Sequence, residues 1–297
     1  KELDDVKKKA DNALAEIERL KKELSEAKSD ADQLRLTKAY NKETDVLSAT
    51  DWLNKGYNAA MNEEYDKAIS FLLRAIELNP DDARAYVNLG FAYYNQDNTT
   101  KAIELFEKAI ELNPDLALAY FNLGLAYYNQ GNLTKAIQLY EKAIEVDPDY
   151  ADAYGNLGIT YADQGNTTKA IELYEKEIAL DPDFKPYFNL GVTYYKQGNV
   201  DRAVELLEKA IALNPDYVDT YYNLGLAYYN QGNTTKAIQS YEKAIALDPD
   251  YANAYVNLGT IYYKQGNTTK AIQLYEKGAR LGHKGAQDWF KKNGYEW

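Results

Sequence analysis

The chain has 297 residues, no cysteine, one histidine and a formal net charge of −12. That charge leaves no basic surface to neutralise phosphates, which argues against nucleic-acid binding, and an anionic membrane surface would repel it. Without cysteine there are no disulfides, thiolate-ligated zinc sites or thiol nucleophiles, although the redox compartment stays open, and no apolar run approaches the roughly 20 residues that span a bilayer.

Hydrophobic residues make up 45% of the chain and aromatic residues 13%, with 29 tyrosines. This is ample material for a continuous core, because tyrosine rings pack while their hydroxyls reach water or polar partners. Length alone suggests two ordinary domains, but internal repetition favours one elongated array. The chain begins at Lys1 and not Met, as a processed mature chain or a fragment would.

Residues 1–48 form the first element. Apolar residues fall at Leu3, Val6, Ala10, Ala13, Ile17, Leu20, Leu24, Ala27, Ala31 and Leu34, alternating steps of three and four in a heptad pattern. An amphipathic helix about 50 Å long is predicted at 1.5 Å per residue. So narrow a stripe needs a partner, and two readings stand. The helix folds back on the first repeats, or it is an oligomerisation element, a coiled coil or a helix docked on a neighbouring subunit through Leu3, Val6, Ile17, Leu20 and Leu24. Residues 45–50 read as a break, with Asp51 the N-cap of the next helix.

From residue 49 to 283 close copies of one unit recur at 34-residue intervals, clearest in Tyr221 to Asp250. A fixed period of that size signals stacked units. Seven begin near Ala49, Ala83, Ala117, Ala151, Phe184, Val218 and Ala252. In the first half of a unit, residues such as Tyr120, Leu123, Gly124 and Tyr127 share one helical face, and the glycine allows close approach of a paired helix. In the second half Ala136, Ile137, Tyr140, Ala143 and Ile144 build the facing surface. A QGN turn separates the halves, and Asp-Pro or Asn-Pro ends the second.

These residues resemble the tetratricopeptide repeat family, whose pattern of aromatic, Leu, Gly, Tyr, Ala, aromatic, Ala and Pro is met almost position for position over roughly four fifths of the chain. The resemblance implies an all-α, right-handed superhelical α-solenoid of about seven helix-turn-helix repeats, with a C-terminal cap at residues 284–297. It also implies a concave groove, lined by the first helix of each repeat, that receives extended peptides. The first unit departs most, keeping Trp52 and Gly56 but placing Lys55 and Ala59 at the Leu and Tyr positions. Between Pro182 and Pro215 the spacing is 33, Lys185 and Pro186 open a helix, and Glu177 replaces a small alanine. A local bend that gives Glu177 an outlet to water is expected there, by structural tolerance or as a partner site. After Tyr275 the pattern decays through Gly278 and His283, and Trp289 and Phe290 are expected to cover the last repeat. Tyr295 and Trp297 are candidates for docking on another subunit.

No set of residues carries catalysis. His283 is the lone histidine and reads as part of the cap, the serines have no histidine companion, and Asp147 to Asp149 lacks the ligand spacing of a calcium loop. Neither a cofactor nor a metal is expected.

Two faces could bind. On the implied groove, Asn88, Asn122, Asn156, Asn189, Asn223 and Asn257 would form a ladder resembling that of the sugar transferase that modifies intracellular proteins. Amides donate and accept, so a ladder could hold a peptide backbone without reading side chains, with Tyr94, Tyr128, Tyr195, Tyr229 and Tyr263 flanking it. The alternative is a duplicated consensus residue satisfied by its surroundings. Leu118 and Asn122 stand where a carboxylate clamp would need cations, which argues against that ligand class. On the turns, Asn98, Asn132, Asn166, Asn233 and Asn267 each begin an N-x-T triplet, an acceptor for N-linked glycans; equally, asparagine is a good N-cap. Asn199, followed by Val200 and Asp201, lacks the triplet. Used sequons would place the chain outside the cell, unused ones in the cytoplasm. The leading expectation is a non-enzymatic scaffold binding a peptide or partner protein. The alternative is an extracellular glycosylated protein that assembles head to tail into a filament.

Overall fold

A computed structural model describes residues 12–13, 15–20, 22 and 47–294. The chain divides into two compact units, Lys1–Pro148 and Asp149–Trp297. All regular structure among the described residues is helical. The first unit contains α1 Ala49–Met61, α2 Tyr65–Leu78, α3 Ala83–Asn95, α4 Thr99–Leu112, α5 Ala117–Asn129 and α6 Leu133–Val146. In the second lie α7 Ala151–Asp163, α8 Thr167–Leu180, α9 Phe184–Lys196, α10 Val200–Leu213, α11 Val218–Asn230, α12 Thr234–Leu247, α13 Ala252–Lys264, α14 Thr268–Arg280 and α15 Lys284–Asn293. Odd and even helices pair as hairpins, and successive hairpins stack within each unit.

The hairpin turn follows from three residue types. A glutamine closes the first helix, and the next residue adopts the left-handed conformation, as Gly131 does with φ 78°. Its N–H donates to the Tyr128 carbonyl at 2.8 Å, and Asn132 N–H donates to the Tyr127 carbonyl at 2.9 Å, satisfying carbonyls orphaned at the helix end. The asparagine side chain then accepts from the backbone N–H three residues on, as Asn132 does from Lys135 at 3.2 Å, and so caps the second helix. In the first unit Glu63 and Asp97 occupy the left-handed position with φ 63° and 60°, a conformation that disfavours residues with a Cβ.

Each hairpin closes by letting a glycine backbone touch a large side chain, a ring in five of them and Leu72 or Leu207 in the other two. A Cβ on Gly124 would come within 2.8 Å of Tyr140 Cε1, so only glycine lets α5 lie against the fully buried Tyr140 ring. A lysine on the second helix clasps a tyrosine on the first. Lys135 Nζ donates to Tyr127 Oη at 2.5 Å and lies 3.9 Å from its ring centroid, and Lys169–Tyr161, Lys236–Tyr228 and Lys270–Tyr262 repeat the contact.

Ser48, and not Asp51, caps α1. The Ser48 Oγ accepts from Asp51 N–H at 3.2 Å while the Asp51 carboxylate accepts from Ser48 N–H at 2.9 Å. Asp51 thus sits at the third helical position of a capping box, a reciprocal pairing that satisfies two donors. Ahead of it Ala13, Ile17 and Leu20 are buried, and Ile17 belongs to the core around Leu47, Trp52 and Leu53. Ile17 of the apolar stripe thus packs on the chain's own first repeat. Leu3, Val6 and Leu24 lie outside the described residues.

At the other end His283 caps α15, its Nδ1 accepting from Ala286 N–H at 3.1 Å. Phe290 is buried, and Trp289 packs on Tyr275 with ring centroids 5.0 Å apart. Tyr295 and Trp297 lie outside the described residues.

Candidate functional site

The candidate surface is built from the first helices of the hairpins, α3 and α5 in one unit and α7, α9, α11 and α13 in the other. The glycine of each first helix faces its partner, and the asparagine two positions before it lies on the other side of the helix, beside the buried alanines three before and four after it in α3 and α5. Asn88, Asn156, Asn189, Asn223 and Asn257 are half-buried and Asn122 is buried. Three of the amides turn back on their own helix. Asn122 Nδ2 donates to the Leu118 carbonyl at 2.8 Å, Asn156 Nδ2 to Asp152 at 2.9 Å and Asn223 Nδ2 to Asp219 at 2.8 Å. Asn257 Nδ2 instead donates to Tyr222 Oη at 3.1 Å. A primary amide has two N–H bonds and an oxygen with two lone pairs. After the internal bond Asn156 and Asn223 each keep one N–H and an oxygen for other partners, whereas Asn257 also bonds the Tyr241 side chain and Asn122 is buried.

The tyrosines named with this row form a tie between neighbouring repeats. Asn129 Nδ2 donates to Tyr94 Oη, Asn230 Nδ2 to Tyr195 Oη at 2.7 Å, and Lys264 Nζ to Tyr229 Oη at 2.6 Å. Tyr128 is half-buried, whereas Tyr263 is 51% exposed. Asn129, Asn230 and Lys264 were missed in the sequence; their signal is a polar residue spaced 35 positions from each tyrosine.

In the second unit two predicted residues meet in one cavity. Tyr229 and Asn257, with Leu226, Tyr241, Thr260 and Ile261, line a space of about 170 Å³ between α11, α12 and α13. Its walls are apolar and aromatic, with an amide and hydroxyls at fixed places, the usual make-up of a side-chain pocket. A second hollow, of about 270 Å³, lies beside Ser240, with Tyr221, Leu224, Tyr228 and Lys243 among its walls. Ser240 stands where neighbouring repeats carry Leu206 and Leu274, so the missing leucine side chain opens it. Its charged edge is internally satisfied, since Tyr228 Oη donates to Glu208 and accepts from Lys236.

Two expectations need restating. Glu177 has no outlet to water for one oxygen: Oε2 is buried without a hydrogen-bond partner, and its carboxyl group lies against Gly155. Burial chiefly, then the charges of Asp152, Asp181 and Asp183, push its pKa up to about 7, against the opposing pull of Lys185. On the turns, Asn98, Asn132, Asn166, Asn233 and Asn267 all cap the helix that follows, and Asn199, which lacks the triplet, caps in the same way. The cap therefore accounts for the asparagine whether or not the threonine follows.

Comparison with known proteins agrees with the fold. The tetratricopeptide repeat pattern matches residues 62–97, 81–149, 115–183, 188–252 and 222–286. The chain belongs to the tetratricopeptide repeat family. No curated protein sequence matches it. Among solved structures, MamA is 34% identical over 56% of this chain and 97% of its own, with a TM-score of 0.51. YrrB, a tetratricopeptide repeat protein with an unusual peptide-binding site, is 26% identical over 62% of this chain and 95% of its own, with a TM-score of 0.52. A tetratricopeptide repeat protein from Parabacteroides merdae shares the fold at 19% identity, covering 82% of this chain and 97% of its own, with a TM-score of 0.61. In this tetratricopeptide repeat chain no described helix is long and apolar enough to cross a membrane.

Proposed function

We propose that this chain is a non-enzymatic interaction scaffold whose first helices bind an extended peptide, with the α11–α13 surface as its best-formed subsite. The observation that carries the reading is the cavity where Tyr229 and Asn257 meet beside Leu226 and Ile261. An apolar side chain of the peptide fills that space, and the free N–H and oxygen of Asn223, with the amide oxygen of Asn257, hold the backbone beside it. Backbone recognition gives affinity, while the cavity supplies selectivity. The resemblance to YrrB, whose own peptide-binding site is unusual, points the same way.

The test starts from peptides selected out of a displayed random library on the immobilised chain. Affinities of the selected peptides are then measured with the wild-type, Asn223→Ala and Leu226→Ala proteins. An amide that contacts the backbone is worth roughly 0.5–1.5 kcal/mol, so Asn223→Ala should weaken binding by about two- to tenfold. Peptides whose affinity is unchanged in both variants would place the binding surface elsewhere.

A further inference from the structure

One repeat, residues 151–183, departs from its neighbours at three places that touch one another. In the two repeats that follow, an aromatic plug fills the mouth of the hairpin. Phe188 packs edge-on against Tyr217 with centroids 5.3 Å apart, and Tyr222 packs on Tyr251 at 5.3 Å. The second helix presents a small alanine there, Ala210 or Ala244. The last repeat shows that these positions meet, since a Cβ on Gly278 would stand 2.6 Å from Val256 Cγ2. In the 151–183 repeat the ring of the first helix is replaced by Gly155. The junction is one residue shorter, and the aromatic residue after Asp-Pro-Asp is Phe184, which opens α9 instead of preceding the helix as Tyr217 and Tyr251 do. Glu177 takes the alanine position, and a Cβ on Gly155 would overlap its Oε1. A carboxyl group thus occupies the space of the aromatic plug, with Oε2 sealed from solvent and unpartnered.

We propose that the Gly155–Glu177 contact is a proton-operated latch, closing the α7–α8 hairpin when Glu177 is neutral and loosening it when Glu177 is ionised. The chemistry is one-sided. A neutral carboxyl loses little by filling an apolar slot, whereas a carboxylate there is desolvated. The charged groups around it, which lie on every element that faces it, are Asp152 on α7, Asp181 and Asp183 in the junction, and Lys185 on α9. Three of the four repel the ionised form. Backbone bonds from Asp181 N–H to the Glu177 carbonyl and from Asp183 N–H to the Asp181 carbonyl, 2.8 and 2.9 Å, tie the junction to the same residue. Movement of Glu177 therefore moves the lead into α9. No ligand enters the latch, which stands independently of peptide binding.

The folded hairpin keeps a proton that the unfolded chain has already released, because the pKa stands near 7 when folded and in the ordinary carboxylate range when unfolded. The folded form is thus favoured most at low pH and loses stability as pH rises through that window, with no further change above about 7.

The test is hydrogen exchange of the α8 amides in the full chain between about pH 5 and 8, converted to opening constants after correction for intrinsic rates. The latch requires the wild-type opening constant to rise by up to about tenfold per pH unit below pH 7 and then level off. E177Q, which is neutral at every pH, should show a flat profile in α8, and α12 should behave alike in both proteins. Parallel α8 profiles in wild type and E177Q would overturn the proposal. Should E177Q fold poorly, the G155V/E177G double variant, which reproduces the Val256–Gly278 pairing of the last repeat, carries the same expectation of a flat profile. A pH-dependent rise in that variant equal to wild type would overturn the latch as well.

Discussion

Tyr140→Phe should make the first unit more stable. The Tyr140 ring is fully buried, lies under Gly124, and packs against Phe121 with centroids 5.8 Å apart. Its hydroxyl has no hydrogen-bond partner, and burial pushes the phenol pKa well up. An unpartnered buried hydroxyl costs about 1–3 kcal/mol. The equivalent residue one repeat earlier is Phe106, also buried and in the same relation to Gly90, so a phenylalanine ring fits the site. Allowing for the small void left by the lost oxygen, a gain of about 1 kcal/mol is expected. Tyr241 is the matched control, because its hydroxyl bonds the Asn257 side chain; Tyr241→Phe should lose roughly 0.5–1.5 kcal/mol. Repeat arrays unfold in parts, so the assay is native-state hydrogen exchange of α5 and α6 for the first variant and of α11 and α12 for the second, with urea titration beside it. A Tyr140→Phe protein less stable than wild type would refute the reasoning, since it would mean that the hydroxyl makes a useful bond.

Asp97→Gly should stabilise the α3–α4 turn by about 1 kcal/mol, because Asp97 holds φ 60° where most repeats have glycine; exchange of the α4 amides reads this. Deleting residues 1–46 should leave a monomer by light scattering while raising exchange in α1, since Ile17 packs into the core of the first repeat; a fall in oligomer size on deletion would instead support assembly through that helix. For the N-x-T turns, intact mass before and after deglycosylation of chain secreted from eukaryotic cells is decisive. Glycan mass on Asn98, Asn132, Asn166, Asn233 or Asn267 would support the extracellular reading, and an unmodified mass leaves the helix caps as the whole explanation. Asn233→Ala should destabilise the α11–α12 hairpin by about 1 kcal/mol with or without sugar, because its side chain accepts from Lys236 N–H.

The fold was legible in the sequence because its determinants are local and repeated. Gly131 announces a left-handed turn, Asn132 a cap, and Gly124 opposite Tyr140 a close helix contact, and each recurs at a fixed period. The decay of that period around Gly278 and His283 was legible in the same way. The start of α1 near Ala49 was legible, but its N-cap was misassigned because Ser48 and Asp51 are both good capping residues, and only the direction of their reciprocal bonds decides between them. The site was less legible. Side-chain direction is set by rotamer and neighbour, so the sequence placed Asn122 and Asn223 in a row without revealing that each donates inward to its own helix. Similarly, Tyr94 and Tyr195 read as ligand contacts, whereas their hydroxyls meet Asn129 and Asn230 of the next repeat. For Glu177 the sequence showed the departures in length and residue type, but not that they converge on one sealed oxygen.

The central claim is that the first helices receive an extended peptide at the cavity lined by Leu226, Tyr229 and Asn257. It is tested most directly by solving or mapping a complex with a library-selected peptide, using amide chemical shifts of the 149–297 region in the full chain. The expected result is perturbation confined to α11 and α13 around Leu226, Tyr229 and Asn257, lost in Leu226→Ala. Perturbation centred instead on the hollow beside Ser240, or on the helix-cap turns, would contradict it.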